Sequence, residues 1–309
     1  MAERLTLESV ASRLDLPLVD RAKTLWFDAE EHLLFERLNA AERDAVLLDV
    51  MRILNDESLA ASGAHRLDAW RTGWGEILQR VDHHSLSYQA LAPQYFKFPH
   101  VRLDDDYARI VEPLFEFALC HAVKAVLYTA FIEDGDDIVD LGTGTGANIY
   151  LLLNMFAKSR VIGADWAEPS VALVDRIGAA FGERARGARL DMLGLEGRAS
   201  IGSLRDRVVL SVHAFEQLGG DWGGVLAMLL EDRPKLCIQI EPVLEHYDHK
   251  TLLGYLGARY HQKRNYLNGY QSELRRLADA GDIEIIFEKR LPLGTMVHEP
   301  YGVLVWRPR

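Results

Sequence analysis

Ile138-Val-Asp-Leu-Gly-Thr-Gly-Thr-Gly-Ala-Asn148 reads as an apolar strand carrying Asp140, a loop with glycine at 142, 144 and 146, and the start of a helix. Glycine turns sharply where a Cβ would collide, and it lets backbone N–H groups at a helix N-terminus come close to a ligand. The stretch therefore predicts a nucleoside-cofactor loop. Gly142, Gly144 and Ala147 also satisfy the G-x-G-x-x-G/A dinucleotide fingerprint, so a nicotinamide or flavin cofactor competes on spacing alone.

Three acids argue for a different nucleoside. Asp140 ends the strand two residues before the first glycine, where a pyrophosphate would meet repulsion and a cation attraction. Arg160-Val-Ile-Gly-Ala-Asp165 reads as a second strand ending in an acid, roughly 20 residues past the glycines, a spacing suited to ribose hydroxyls. Asp191-Met192 follows a third strand and offers an acceptor for an adenine amino group beside an apolar contact. An acid at each position favours a cationic nucleoside without phosphates.

With Asp140, Gly142, Gly144 and Gly146 matching an acid followed by G-x-G-x-G, residues 133–309 resemble the class I S-adenosylmethionine-dependent methyltransferases. The resemblance implies a doubly wound, mostly parallel seven-stranded sheet with S-adenosyl-L-methionine as cofactor. It also implies methionine-moiety contacts along Gly142, Thr143, Gly144, Gly146 and Asn148, ribose contact by Asp165 with Trp166 beside it, and adenine contact at Asp191 and Met192. A further motif follows the fourth strand, at Ser211-Val-His-Ala-Phe-Glu216, and brings His213 to the cofactor. The acceptor is left open, because one sheet of this kind carries many chemistries.

Composition narrows the partners. The 309 residues are 49% hydrophobic and 26% charged, ordinary for a globular chain, and 35 Lys and Arg face 46 Asp and Glu for a net charge of −11. That balance opposes attraction to nucleic acid and anionic lipid, and it favours a small-molecule substrate. Cys120 and Cys237 form no C-x-x-C pair, and the N-terminus is too acidic for a signal peptide, so the cytoplasm is the expected compartment. The most apolar run, Phe115 to Ile132, contains Glu116, His121 and Lys124, which makes it a core helix rather than a membrane span.

From residue 133 onward, β-branched runs alternate with helical patterns, the βαβ signature of a parallel sheet. Strands are expected near 137–142, 160–165, 186–190, 207–212, 235–241, 283–289 and 302–307, the last two as an antiparallel hairpin. Helices are expected near 146–158, 169–181, 222–232 and 251–280, the last broken near Asn268-Gly269. Residues 1–132 show helical spacing, with Leu25, Leu33, Leu34 and Leu38 near one face, and predict an all-helical domain serving as a lid or a homodimerisation module.

Methyl transfer is an in-line displacement that needs an aligned acceptor and often a base. His213 is the first candidate base, with Glu216 and Glu241 as further catalytic candidates at the carboxyl ends of strands four and five. Arg259, Lys263 and Tyr266 share a helical face, extended by Tyr255 and Tyr270, that suits an anionic or aromatic substrate. Tyr95 and Phe98, in a loop too apolar to be freely exposed, and His246 complete the substrate candidates. Glu241, Glu245, His246, Asp248 and His249, together with His213, His298 and Glu299, supply metal donors but not the spacing of a closed zinc site, so no metal ligand is assigned. The expected reaction is methylation of a hydroxyl oxygen on a small polar metabolite. N-methylation of an amine or guanidine, metal-assisted C-methylation of a keto acid, a nicotinamide oxidoreductase and a non-catalytic cofactor-binding regulator are the alternatives.

Overall fold

A computed structural model describes residues 1–23, 29–83 and 86–309. Leu25 of the predicted helical face lies outside the described residues. The first half contains strands β1 (Ala2–Arg4), β2 (Leu34–Arg37), β3 (His100–Leu103) and β4 (Asp106–Ile110). Its helices are α1 (Leu7–Leu14), α2 (Asp20–Lys23), α3 (Ala40–Asn55), α4 (Leu67–His83) and α5 (Phe115–Phe131). The second half alternates β5 (Asp137–Leu141), α6 (Ala147–Met155), β6 (Arg160–Asp165), α7 (Glu168–Ala180), β7 (Ala185–Arg189), α8 (Arg198–Ile201), β8 (Val208–Val212), α9 (Gly223–Asp232) and β9 (Leu236–Glu241). It closes with α10 (Leu252–Lys263), α11 (Tyr270–Ala280), β10 (Ile283–Arg290), β11 (Leu293–Thr295) and β12 (Gly302–Pro308).

The main sheet has seven strands in the order β10-β12-β9-β8-β5-β6-β7. Parallel pairing joins β7, β6, β5, β8 and β9, and β12 runs antiparallel between β9 and β10. This is the doubly wound α/β architecture expected. The central strands are buried on both faces, as in β9, where all six residues are buried, so they read as continuous apolar runs. The carboxyl ends of the parallel strands β5 to β9 lie on one edge of the sheet, with Asp140, Asp165 and Glu241 at the strand ends and Asp191, His213 and Glu216 in the loops that follow β7 and β8.

The all-helical expectation for the first half needs correction. An antiparallel five-stranded sheet, β1-β2-β4-β3-β11, runs through it. Leu34 begins β2 rather than extending a helix, since Phe35 pairs with Ile110 and Leu34 with Arg4. Its fifth strand arrives from the other end of the chain: Leu293, Gly294 and Thr295 pair with Leu103, Arg102 and Val101.

Helix α5 is buried over fourteen of its residues, Phe115 to Tyr128, which explains why it is apolar all round. It shares one core with α1, α6 and the inner strands. Lys124, deep in this helix, donates to Asn148 Oδ1 on α6 at 2.8 Å, so its charge is compensated inside the core. Among the described residues no helix is long and apolar enough to cross a membrane.

Candidate active site

The loop between β5 and α6 places Gly142, Gly144 and Gly146 at φ of 75°, 54° and 76°, the left-handed region. Gly142 is constrained by space as well, because a Cβ there would sit 2.3 Å from the Ala214 side chain in the turn after β8. A Cβ at Gly146 would lie 2.6 Å from Ile177 of α7, so that glycine serves helix packing. Gly144 lies under the indole of Trp74 and, with Gly142, borders the cleft.

That cleft is open to solvent and spans about 580 Å³. It is bounded by Gly142 and Gly144, Asp165 and Trp166, Leu190 through Leu193, and the turn holding His213, Ala214, Gln217 and Leu218. Trp70 and Trp74 of α4 close the remaining side, stacked on each other at 5.2 Å. Arg71, between them, holds α4 to α7 through a two-pronged ion pair with Glu168 at 2.8 and 3.0 Å. Among the described residues two carboxylates line this cleft and no lysine or arginine does.

Asp165 is held by its neighbours: Oδ2 accepts Gly144 N–H at 2.9 Å and Oδ1 accepts Ala167 N–H at 3.0 Å. Burial nonetheless raises its pKa to about 6. Asp191 is half-buried; its Oδ1 accepts Leu193 N–H at 2.9 Å, and Met192 reaches toward Gly142. Asp140 does not line the cleft: it is fully buried beneath the loop, within 3.4 Å of Asn148 Nδ2, with Thr143 and the Lys124 charge nearby. Burial raises its pKa to about 6 as well. Asp140, Thr143, Gly146 and Asn148 therefore lie beneath or beside the loop, while Gly142, Gly144, Asp165, Trp166, Asp191 and Met192 line the cleft.

His213 faces the cleft from a left-handed backbone, φ 53°, anchored by its N–H to Ile240 O at 3.0 Å. A non-glycine residue in that region is held there against local strain, a recurrent feature of working sites. Its Nε2 is buried with no hydrogen-bond partner, and the Pro300 carbonyl engages the imidazole. Burial, ahead of the Lys124 charge, lowers its pKa to about 3, so the ring is neutral with a free acceptor nitrogen.

Glu241 is not at the mouth of the cleft, contrary to the sequence expectation. Its carboxylate is wholly buried and accepts the N–H groups of Ala214, Phe215 and Glu216, each at 3.1 Å, so it fixes the turn that carries His213. Glu216 points away from that turn toward Gln217 Nε2, at 2.8 Å, the Tyr266 hydroxyl and Arg264. Burial, and for Glu216 the adjacent Glu241, pushes both carboxyls above the usual range.

The expected substrate face on α10 does not form. The helix ends at Lys263, whose ammonium donates to Leu54 O at 2.8 Å behind α3; Arg259 is exposed, and Tyr266 lies beyond the helix, buried among Tyr260, His261 and His298. His246 packs beside Gln271, 2.9 Å away, and Gly302, outside the cleft. Tyr95 does approach, edge-on to Trp74 at 6.5 Å, and Phe98 packs against the cluster that includes Tyr260 and Tyr266. Among the described residues no three His, Cys, Asp or Glu side chains gather as a metal site.

Sequence reasoning missed Trp70 and Trp74. Their i, i+4 spacing in Trp70-Arg-Thr-Gly-Trp74 was the available signal, since it puts two rings on one helix face. It also missed Lys124, whose link to Asn148 needs the tertiary fold.

No protein-family model and no curated protein matches the chain. Among solved structures, it is similar to the pyocyanin biosynthetic protein PhzM, at 18% identity and a TM-score of 0.44 over 64% of this chain and 59% of that one. It is also similar to NcsB1, an O-methyltransferase from neocarzinostatin biosynthesis in complex with S-adenosyl-L-homocysteine and 1,4-dihydroxy-2-naphthoic acid, at 14% identity and a TM-score of 0.41 over 63% and 57%. A S-adenosylmethionine-dependent methyltransferase from Aquifex aeolicus matches at 16% identity and a TM-score of 0.39 over 59% and 88%. The chain spans under three-fifths of the length of the first two.

Proposed function

We propose that the chain transfers a methyl group from S-adenosylmethionine to a hydroxyl oxygen of a small polar metabolite. The observation that carries the cofactor assignment is the charge of the cleft, where Asp165 and Asp191 occur with no lysine or arginine. A pyrophosphate dinucleotide would leave two negative charges unpaired beside them, whereas a sulfonium nucleoside gains from both. Asp165 suits the ribose hydroxyls, Asp191 and Met192 the adenine, and the loop backbone at Gly142 and Gly144 the amino-acid end.

The oxygen acceptor rests on His213. A neutral imidazole that lines the cleft, engaged by the Pro300 carbonyl and with its buried Nε2 unpaired, is the group available to take a hydroxyl proton as the oxygen attacks the methyl carbon. Trp70 and Trp74 exclude water from that side. The division of labour at residues 132/133 is part of the proposal: residues 1–132 supply the cover and residues 133–309 the cofactor wall.

Calorimetric titration of the full chain with S-adenosylhomocysteine and, separately, NADH tests the cofactor. The expected result is binding of the first alone; tighter NADH binding overturns the reading. A labelled-methyl assay on pooled hydroxylated metabolites, with product mass determined, tests the acceptor atom.

A further inference from the structure

A second cleft, of about 640 Å³, opens between the loop at 96–99, the end of β4 and the first turn of α5. Its walls are apolar, chiefly Phe96, Phe98 and Ile110, and Glu116 also lines it. Glu116 is only 3% exposed, and its Oε1 has no hydrogen-bond partner. The other charged groups there are Lys97, which is exposed, and half-buried Glu112; among the described residues no lysine or arginine forms an ion pair with Glu116. A buried carboxyl oxygen left without a partner carries a desolvation cost that a ligand can relieve.

A run of ring contacts links the two clefts. Tyr95 meets Trp74 of the first cleft edge-on, and its neighbour Phe96, 4.6 Å from it, lines the second. Phe98 leads from the second cleft to the cluster around Tyr266, which in turn meets Glu216 beside the His213 turn.

We propose that this second cleft holds the basic end of the acceptor, which is an amphipathic hydroxylated amine with its ammonium on Glu116 and its apolar body against Phe96 and Phe98. The inference rests on the methyl-transfer reading and names its substrate class. An ammonium supplies the charge and donors that Glu116 lacks, and phenyl faces add favourable cation–π contact. In the free protein burial raises the Glu116 pKa to about 8, the behaviour of a carboxyl waiting for a cation. An acidic acceptor would bring Glu116 no cation and would keep it from ionising.

Three ligands sharing one ring and one hydroxyl test the idea: tyramine, its neutral analogue tyrosol and its acidic analogue 4-hydroxyphenylacetate, titrated calorimetrically into the full chain. Tyramine is expected to bind about 10-fold or more tighter than tyrosol, from the strength of hydrogen bonds to charged groups, and the acid not to bind. Glu116→Gln should abolish the tyramine advantage while leaving S-adenosylhomocysteine affinity unchanged. Equal binding of acid and amine, no heat with tyramine, or a Glu116→Gln chain that binds tyramine as the parent does overturns the proposal. If that variant fails to fold, the ranking on the parent chain decides. Loss of S-adenosylhomocysteine binding in the parent chain would instead overturn the methyl-donor reading, while a tyramine preference would still stand.

Discussion

Replacing Asp165 by Asn separates its structural duty from its binding duty. In the fold, Asp165 accepts one N–H from Gly144 and one from Ala167, at 2.9 and 3.0 Å. Asn keeps one acceptor oxygen, so one of those N–H groups loses its partner, at a cost of about 1–3 kcal/mol. Against this, the carboxylate's pKa rises from 3.8 to about 6 on burial, and holding it ionised near neutral pH costs the folded chain about 3 kcal/mol. That cost disappears with the charge. The two effects nearly cancel, and the expected change in Tm is small. Ligand binding has no such compensation: each hydrogen bond from a ribose hydroxyl to the carboxylate is worth about 1.5–3 kcal/mol, or roughly 10- to 150-fold in Kd. Thermal unfolding and calorimetry with S-adenosylhomocysteine on the same preparation give both numbers. A variant that binds within threefold of the parent, or one that loses binding only because it unfolds, refutes the assignment of Asp165 to the ribose.

Replacing His213 by Ala should lower methyl transfer by about 10²- to 10⁴-fold, the usual worth of a general base, while thermal unfolding shows the fold retained; an unchanged rate removes the base. Gly142→Ala puts a Cβ at φ 75° and 2.3 Å from Ala214, and should cost about 2–4 kcal/mol by urea unfolding from left-handed strain and overpacking. Stability should also fall between about pH 5 and 8 in proportion to Glu116. Its folded pKa, about 8, lies above its ordinary 4.5, so the folded state holds the proton longer and stability is lost as pH rises through that interval. Urea unfolding of Glu116→Gln at pH 6 and pH 9 should show a shallower loss than the parent.

The parallel half was legible because buried central strands write themselves as unbroken apolar runs between glycines: β5, β6 and β9 fall within a residue or two of expectation. The strands of the first half did not show, since β1 to β4 are three to five residues long and too short to display alternation. Asp165, Asp191 and His213 were readable from their place after strands. Glu241 shared that signal, yet three backbone donors claim it, and only the folded turn after β8 reveals them. The supposed face at Arg259, Lys263 and Tyr266 assumed one continuous helix through a stretch where the chain turns after Lys263.

Because β3 pairs with residues 293–295, the order of synthesis works against early completion of the smaller sheet. Residues 100–103 emerge long before their partner and carry a bare hydrogen-bonding edge in the interval, the kind of edge that recruits stray strands from other molecules. A fragment ending near residue 132 inherits that edge permanently. Splitting the chain there for expression should yield aggregates rather than a detachable cover, and the portion beginning near residue 133 is left with a tongue at 293–295 and nowhere to lay it.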